Sequence, residues 1–540
     1  MSNPLKYVTS TPTGALRHAN LGVGVASIQY DETFTSGLNP SNLTTYYLVY
    51  EPVNGASTRI YAPANSTELI QLAKSKGSTE TTESGALTWL SDNGYYPANR
   101  VLDNVVTDGL KFLVDSTTLI SFPGSGDNWL DLSGEAEDGV INNGPVFDED
   151  SRALDFDGVD DYVEIDSTIG LGNPCTVIVV ANVESAGSYT MFAPNSNGVD
   201  NWLGTNGTQL ELFATQTADT NNFVLRGSGL AIGNFQQLAC TIDGDTAKVW
   251  INGEEKNSTT RTFTIGGWSS TGAIGRRGVI SQRYFPGKIA SVIGYNKALT
   301  QAEINQNYYQ GPIVTDNLKF SLDASNLISF EPGTTAAFSL TGSSGAAAGD
   351  GVLTNGVGFS NSSNGAWDFD GVDDYILYSS TQDVGTVFTV NFWIKPNGKA
   401  RQSIVANGYP YQTNKGFFIA CPGNTTNSDS FFLSLGADDN YATAANGSLT
   451  QGVWQMVTCR VNGPGNLMKL YVNGTETNYS HQDNGNTTLQ YDTGDFLTGR
   501  RTLASSDFLE SPVSCIQMYN RALTEEEIQQ NYNANVKKFT

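Results

Sequence analysis

Histidine is almost missing from this chain: His18 and His481 are the only two. A histidine-based catalytic triad or a zinc centre therefore lacks its parts. Cysteine is sparse and odd in number, at positions 175, 240, 421, 459 and 515, with no close metal-type spacing. All five are expected to be free thiols made in a reducing compartment. Positive charge is scarce too, with 29 Lys and Arg against 54 Asp and Glu and a net charge of −25. Nucleic acid and anionic membranes both call for a basic face, so neither is an expected partner. No run approaches the roughly 18 apolar residues of a membrane span, so no membrane insertion is expected. Met1-Ser2-Asn3-Pro4-Leu5-Lys6 leads into polar sequence without an apolar segment, so no signal peptide is expected. A Gly-x-x-x-x-Gly-Lys-Ser/Thr phosphate loop is absent as well.

What the chain does have is a repeat, and a repeat must be found before any fold is assigned. The run Asp155-Phe156-Asp157-Gly158-Val159-Asp160-Asp161-Tyr162 returns unchanged from Asp368 to Tyr375. Leu154 and Phe156 alternate with Asp155 and Asp157, and Trp367 and Phe369 with Asp368 and Asp370. A period of two marks a half-buried strand with its rings inward. Asp-Gly then suits a tight hairpin turn, with the segment after Tyr162 or Tyr375 as the returning strand. The flanks repeat too. Val106-Thr107-Asp108 matches Val314-Thr315-Asp316, and Asn252-Gly253 matches Asn473-Gly474 as an Asn-Gly strand turn. Gly275-Arg276-Arg277 recurs as Gly499-Arg500-Arg501. Cys240 and Cys459 occupy matching places, and Cys175 stands where the other copy has Phe388, which suits a small core hydrophobe. Both copies close on a helix. Thr300 with Glu303 and Thr524 with Glu527 form capping boxes, while Ile304/Tyr308 and Ile528/Tyr532 share a helical face. So short a helix must dock on a sheet.

Residues 1–104 do not resemble the repeats and carry only −2 of the charge, leaving −23 on the rest. Strands are expected at Leu21–Tyr30 and Tyr46–Tyr50. A helix is expected to open at the Asn65–Glu68 cap and stop at Gly77, and a second to carry Leu87, Trp89 and Leu90. The chain thus reads as mainly β: a small α/β head at 1–104, then β-sandwiches at 105–312 and 313–540. The head is either a folded spacer or an attachment domain.

The "FDGVDDY" run, the Asn-Gly strand turn, the Gly-Arg pair and the closing "YNRALT" segment, in the same order twice, resemble the laminin-G-like, concanavalin A-like jelly-roll family of the pentraxin type. The resemblance covers both modules from end to end and implies two antiparallel sheets packed face to face, one of them concave. The arrangement of an unlike head, a "VTDGL" joint and tandem modules also resembles structural proteins of marine tailed phages, particularly those infecting cyanobacteria.

Candidate functional residues follow. Asp157, Asp160 and Asp161, with Asp370, Asp373 and Asp374, gather oxygen donors around one turn, as calcium requires. The family often holds a structural calcium; the plainer reading is that these carboxylates satisfy turn amides. Trp202, Trp268, Tyr409, Tyr411 and Tyr441 lie in loop-like sequence and are candidates to stack on sugar rings, while core filling is the usual role of aromatics. The Gly-Arg-Arg arginines are expected to pair within the molecule. Glucanases of this fold carry Glu-x-Asp-x-(x)-Glu on one strand face, and no such run stands in a strand-like segment, so no enzyme is expected. The resemblance implies a virion structural protein made in the host cytoplasm. Its head would grip other virion proteins, and its modules would be displayed as a capsid decoration or fibre, with host surface glycans as partners. Such assemblies are commonly symmetric, so a homo-oligomer is expected. Two alternatives stand beside it: a glycan-binding receptor protein of the tail, and a glycan-active enzyme.

Overall fold

A computed structural model of the chain describes residues 105–539 apart from short loop segments, 262–270 and 408–415 among them. Within 1–104 it describes strands Ile28–Tyr30, Val49–Val53, Ser57–Tyr61 and Tyr96–Pro97 together with part of 70–89. The chain divides into two compact units, Met1–Gly311 and Pro312–Thr540.

In the head, Ile28–Tyr30 runs parallel to Ser57–Tyr61, which pairs antiparallel with Val49–Val53. Gly77 takes a left-handed conformation and Ser78 N–H returns to the Ala73 carbonyl, a helix stop of the expected kind. The 65–68 cap, and Leu87 and Leu90, lie outside the described residues.

Each module is a β-sandwich. In the first, one eight-stranded sheet runs in the order 254–260, 246–251, 235–243, 175–183, 286–295, 153–157 and 146–148, with Leu110–Asp115 added on Pro286–Tyr295. The facing sheet runs 222–228, 209–215, 202–207, 187–194, 272–274, 162–165, 139–142 and 128–129. The second module repeats this with sheets of eight and nine strands. The interior of the first is a continuous cluster that includes Phe112, Phe156, Val177, Val179, Leu210, Leu212 and Leu238. The apolar run of Cys175–Val183 is explained by its neighbours on both sides. Val177 and Val179 enter that interior, while Ile178 faces outward under the closing helix with Trp250, Tyr295 and Ile304. All five cysteines are buried and free, and burial pushes the Cys175 and Cys421 thiols up to about 12.

The closing helices are Gln301–Tyr309 and Glu525–Phe539. Thr300 and Glu303 form both bonds of a capping box, and Thr524 and Glu527 do the same. In each module a helical asparagine ties the start of the module to the helix. Val106 N–H donates to Asn307 Oδ1, and Val314 N–H to Asn531 Oδ1. Each helix thereby covers the outer face of one sheet. Among the described residues no helix covers the other sheet, the open sheet, whose outer side has Phe213, Phe432 and Tyr441 partly exposed while Trp202, Ala406, Phe418 and Ala420 are buried.

One expectation changes. The "FDGVDDY" turn does not join two paired strands of a hairpin. Ala153–Asp157 pairs with Val146–Asp148 and Pro286–Ile289 in the helix-covered sheet, whereas Tyr162–Ile165 pairs with Gly139–Asn142 and Gly272–Ile274 in the open sheet. The turn is a corner that carries the chain from one sheet to the other, and Ala366–Asp368 and Tyr375–Tyr378 do likewise. Alternation in two flanking segments is identical for a hairpin and for such a corner, because it reports faces and not partners.

Candidate functional site

Two regions of each module bring functional side chains together: the aspartate corner and the open sheet face.

At the corner, Asp157 Oδ1 accepts the Val159 and Asp160 amides at 2.8 and 3.3 Å, and Asp161 Oδ2 accepts the Asp157 amide at 2.9 Å. Asp370 and Asp374 repeat these bonds at 2.8, 3.4 and 3.0 Å. The consecutive aspartates would point to opposite sides of a regular strand, but the corner breaks that rule. One ligand oxygen from each of Asp157, Asp160 and Asp161 lies within 4.8 Å of the others, and Asp370, Asp373 and Asp374 match them. Burial and then the neighbouring Asp157 and Asp160 charges push the Asp161 carboxyl up, while the backbone amides hold Asp157 down. Asp374 is pushed up in the same way, and its Oδ1 is buried without a hydrogen-bond partner. Calcium takes six to eight oxygens. The corner supplies three carboxylates, two of which each spend one oxygen on turn amides. Both the turn-chemistry reading and the cation reading therefore have groups to serve them.

The Gly-Arg turn packs on this corner. Gly275 and Gly499 take φ of +84° and +97°, and a Cβ at either would fall 2.7–2.8 Å from the Phe156 or Phe369 ring. The next residue stacks on the tyrosine that leaves the corner, Arg276 at 3.5 Å over Tyr162 and Arg500 at 4.9 Å over Tyr375. Arg276 also pairs with Glu164 at 3.7 Å, and Arg501 with Asp507 at 3.5 Å. The arginines are thus engaged within the module.

On the open face of the second module, Leu433, Leu435, Ala442 and Ala444 enter the core, so Phe432, Ser434, Tyr441 and Thr443 point out. Phe418 stands edge-on to Phe432 at 5.2 Å, and Tyr441 stacks on exposed His481 at 4.2 Å. Asp483 fixes that pair by accepting from the Tyr441 amide and bonding His481 Nε2 at 3.0 Å. The result is a partly exposed aromatic surface on the sheet.

The first module places different chemistry there. Trp202 and Phe213 are cross-strand partners stacked at 5.2 Å, and Arg283 lies 4.3 Å over the Trp202 ring. The neighbouring cross-strand row is Gly204, Glu211 and Arg226. Glu211 is buried and holds both Arg226, at 2.5 Å, and Arg283, at 3.4 Å.

The aromatic expectations divide accordingly. Trp202 is corrected: it starts the strand Trp202–Gly207, is 1% exposed, and lies beneath Arg283, so its ring is closed to a sugar. Tyr441 is in a strand and not a loop, partly exposed, with one ring face taken by His481. Trp268, Tyr409 and Tyr411 lie outside the described residues. Phe432, Phe213, Glu211, Arg226 and Arg283 were not singled out from the sequence. The signal for the first three was the outward phase of strands whose Leu partners point in.

A family model described as the concanavalin A-like lectin/glucanases superfamily matches residues 157–305 and 370–529. Among solved structures, the chain is similar to domain 4 of the extracellular arabinanase AbnA of Geobacillus stearothermophilus, solved in complex with arabinotriose. The identity is 18%, over 37% of this chain and 98% of that one, with a TM-score of 0.29. It is also similar to mouse laminin α1 domains LG4-5, at 12% identity over 71% of this chain and 94% of that one, TM-score 0.24. The native heptameric SAP-like pentraxin of Limulus polyphemus follows at 14% identity over 28% and 78%, TM-score 0.24. No curated protein matches the chain.

Proposed function

Because the chain belongs to the concanavalin A-like lectin/glucanases superfamily over both modules, we propose that it is a non-enzymatic, lectin-like display protein that binds sugars on its open sheet faces. The observation that carries this reading is the second module's outward surface of Phe432, Tyr441 and His481 on the sheet that no helix covers among the described residues. Aromatic faces offer an apolar surface to the C–H side of a sugar ring, and neighbouring polar groups can bond its hydroxyls. A glycan array on the full chain is expected to give binders. Tyr441→Ala is expected to weaken those bound at the second module about tenfold, the equivalent of one lost stacking contact of about 1.4 kcal/mol. Unchanged binding in Tyr441→Ala and Phe432→Ala would move the sugar site elsewhere.

The setting we propose is a phage virion, with residues 1–104 holding the chain to other virion proteins and the modules facing outward as a decoration or fibre. The sequence resemblance supports this setting, together with the acidic tandem modules behind an unlike head. A tail receptor-binding protein is the second reading, because the same sugar-binding faces would serve adsorption. Immunogold labelling of purified particles separates the two by position, and absence of the chain from particles removes both.

A structural calcium ion at each aspartate corner belongs to the same proposal. Asp157, Asp160 and Asp161, and Asp370, Asp373 and Asp374, would contribute carboxylate oxygens, and the cation would offset the burial and then the like-charge repulsion that raise Asp161 and Asp374. Calcium at about one hundred times its Kd is expected to stabilise the fold by about 2.7 kcal/mol, with chelation reversing it. A melting temperature indifferent to chelator would leave the corners to turn chemistry alone.

A further inference from the structure

The open face of the first module has a charge arrangement without a counterpart among the described residues of the second. Among the described residues, Glu211 is the sole carboxylate meeting Arg226 and Arg283, so two guanidinium groups share one negative charge. The local excess is one positive charge, in a chain whose net charge is −25. The Arg226 side chain is 43% exposed, and its described hydrogen bond uses only Nε, toward Glu211 Oε2. Its two terminal nitrogens therefore have no partner among the described residues and lie at the solvent side. Arg283 is held over Trp202 by the ring beneath it and by Glu211 at its end. Beside this pair stand the partly exposed Phe213 and Val224, themselves cross-strand neighbours. In the second module the arginine over the corresponding ring, Arg501 over Phe418 at 5.3 Å, faces the Asp507 carboxylate.

We infer that the open face of the first module binds a sugar bearing a carboxylate, of the uronic-acid type, while the second module takes neutral sugars. This rests on the open faces being the sugar sites. The planar guanidinium fork of Arg226 matches a carboxylate, because its parallel N–H groups meet two oxygens at once. Phe213 and Val224 present the apolar edge on which the rest of the ring lies. Glu211 is a positioning residue: buried, it holds Arg226 by Nε and Arg283 by Nη1, which leaves both terminal nitrogens of Arg226 to a ligand. A ligand carboxylate then completes the second ion pair. In so acidic a chain, an anionic ligand gains a foothold only where the local sign is reversed.

The test is calorimetric titration of the full chain with trigalacturonate and with the neutral galactose trimer. Wild-type chain is expected to bind trigalacturonate, less tightly as salt rises. Arg226→Gln, a surface change compatible with folding, is expected to weaken it about tenfold or more by removing a charge-assisted contact. Glu211→Gln, which removes the competing carboxylate without changing the side-chain shape, is expected to strengthen it or leave it equal. A merely structural glutamate would instead lower binding of every ligand along with the melting temperature. Absence of trigalacturonate binding, or binding unchanged in Arg226→Gln, overturns the inference. If neutral sugars still bind and still depend on Tyr441, the wider reading stands. If no sugar binds at all, both fall.

Discussion

Lys538→Ala is expected to destabilise the second module by about 3–5 kcal/mol, the usual result of removing one partner from a buried ion pair. Lys538 Nζ lies 2.8 Å from Asp323 Oδ2, and the two side chains are 2% and 3% exposed. Asp323 Oδ1 is already committed to Ser325, accepting its amide at 2.9 Å and its hydroxyl at 2.6 Å. Deleting the lysine leaves a carboxylate in the interior with only the two Ser325 bonds and no counter-charge to offset its desolvation. The loss corresponds to roughly 6–20 °C in melting temperature for a unit of this size. The pair as a whole need not be strongly stabilising, because attraction and desolvation nearly cancel. Replacing both members, Asp323→Leu with Lys538→Met, is therefore expected to recover most of the loss. Differential scanning calorimetry of the single and double variants measures the coupling directly. A single-variant loss under about 1 kcal/mol would mean that water reaches Asp323. The first module gives the internal comparison: Asp115 occupies the matching place, bonds Thr117 at 2.9 and 2.6 Å, and is pushed upward by burial. Its closing helix stops at Tyr309, short of a lysine equivalent.

Gly499→Ala is the second large effect expected, at about 2–5 kcal/mol, adding left-handed backbone strain to overpacking. The new Cβ would stand 2.8 Å from Phe369 Cε1 and 2.9 Å from the Asp374 carbonyl oxygen. Phe369 is buried in the core and the carbonyl is backbone, so neither yields cheaply. The same change in the first module, Gly275→Ala, meets Phe156 at 2.7 Å. Gly207→Ala separates the two causes, since Gly207 also has positive φ (+62°) but nothing within 4 Å. It is expected to cost only the backbone part, about 1–2 kcal/mol. Urea unfolding of the three variants compares them. Equal losses at 207 and 499 would show that the Gly-Arg turn gives way without disturbing the corner. A larger loss at 499, with reduced calcium stabilisation, would tie the Gly-Arg turn to the geometry of the three aspartates.

Much of this was legible in the sequence, for reasons that particular residues make plain. The eight-residue repeat announced two copies of one module. The Asn-Gly turns adopt the expected left-handed pairs, with Asn252 and Gly253 at φ of 51° and 76° and Asn473 and Gly474 at 52° and 80°. The capping boxes at Thr300 and Thr524 are present because their bonds are local, within three residues. What escaped was long-range. Whether the chain after Asp157 returns in its own sheet or crosses to the facing one depends on partners more than a hundred residues away, such as Pro286 and Gly272. Trp202 read as a loop aromatic because its strand is interrupted by Gly204 and Gly207, and only the fold brings Arg283 over it. The Arg226–Glu211–Arg283 cluster joins two neighbouring strands to a distant loop, and no local pattern encodes that meeting. Lys538 likewise reaches Asp323 only because the second helix runs longer than the first.

The measurement that tests the central claim most directly is a crystal of the chain soaked with an oligosaccharide taken from the glycan array. Sugar density is expected on the open sheet face, over Phe432, Tyr441 and His481 or against Phe213 and Arg226. Sugar bound on the helix-covered side, or at the aspartate corners with the open faces empty, would contradict it.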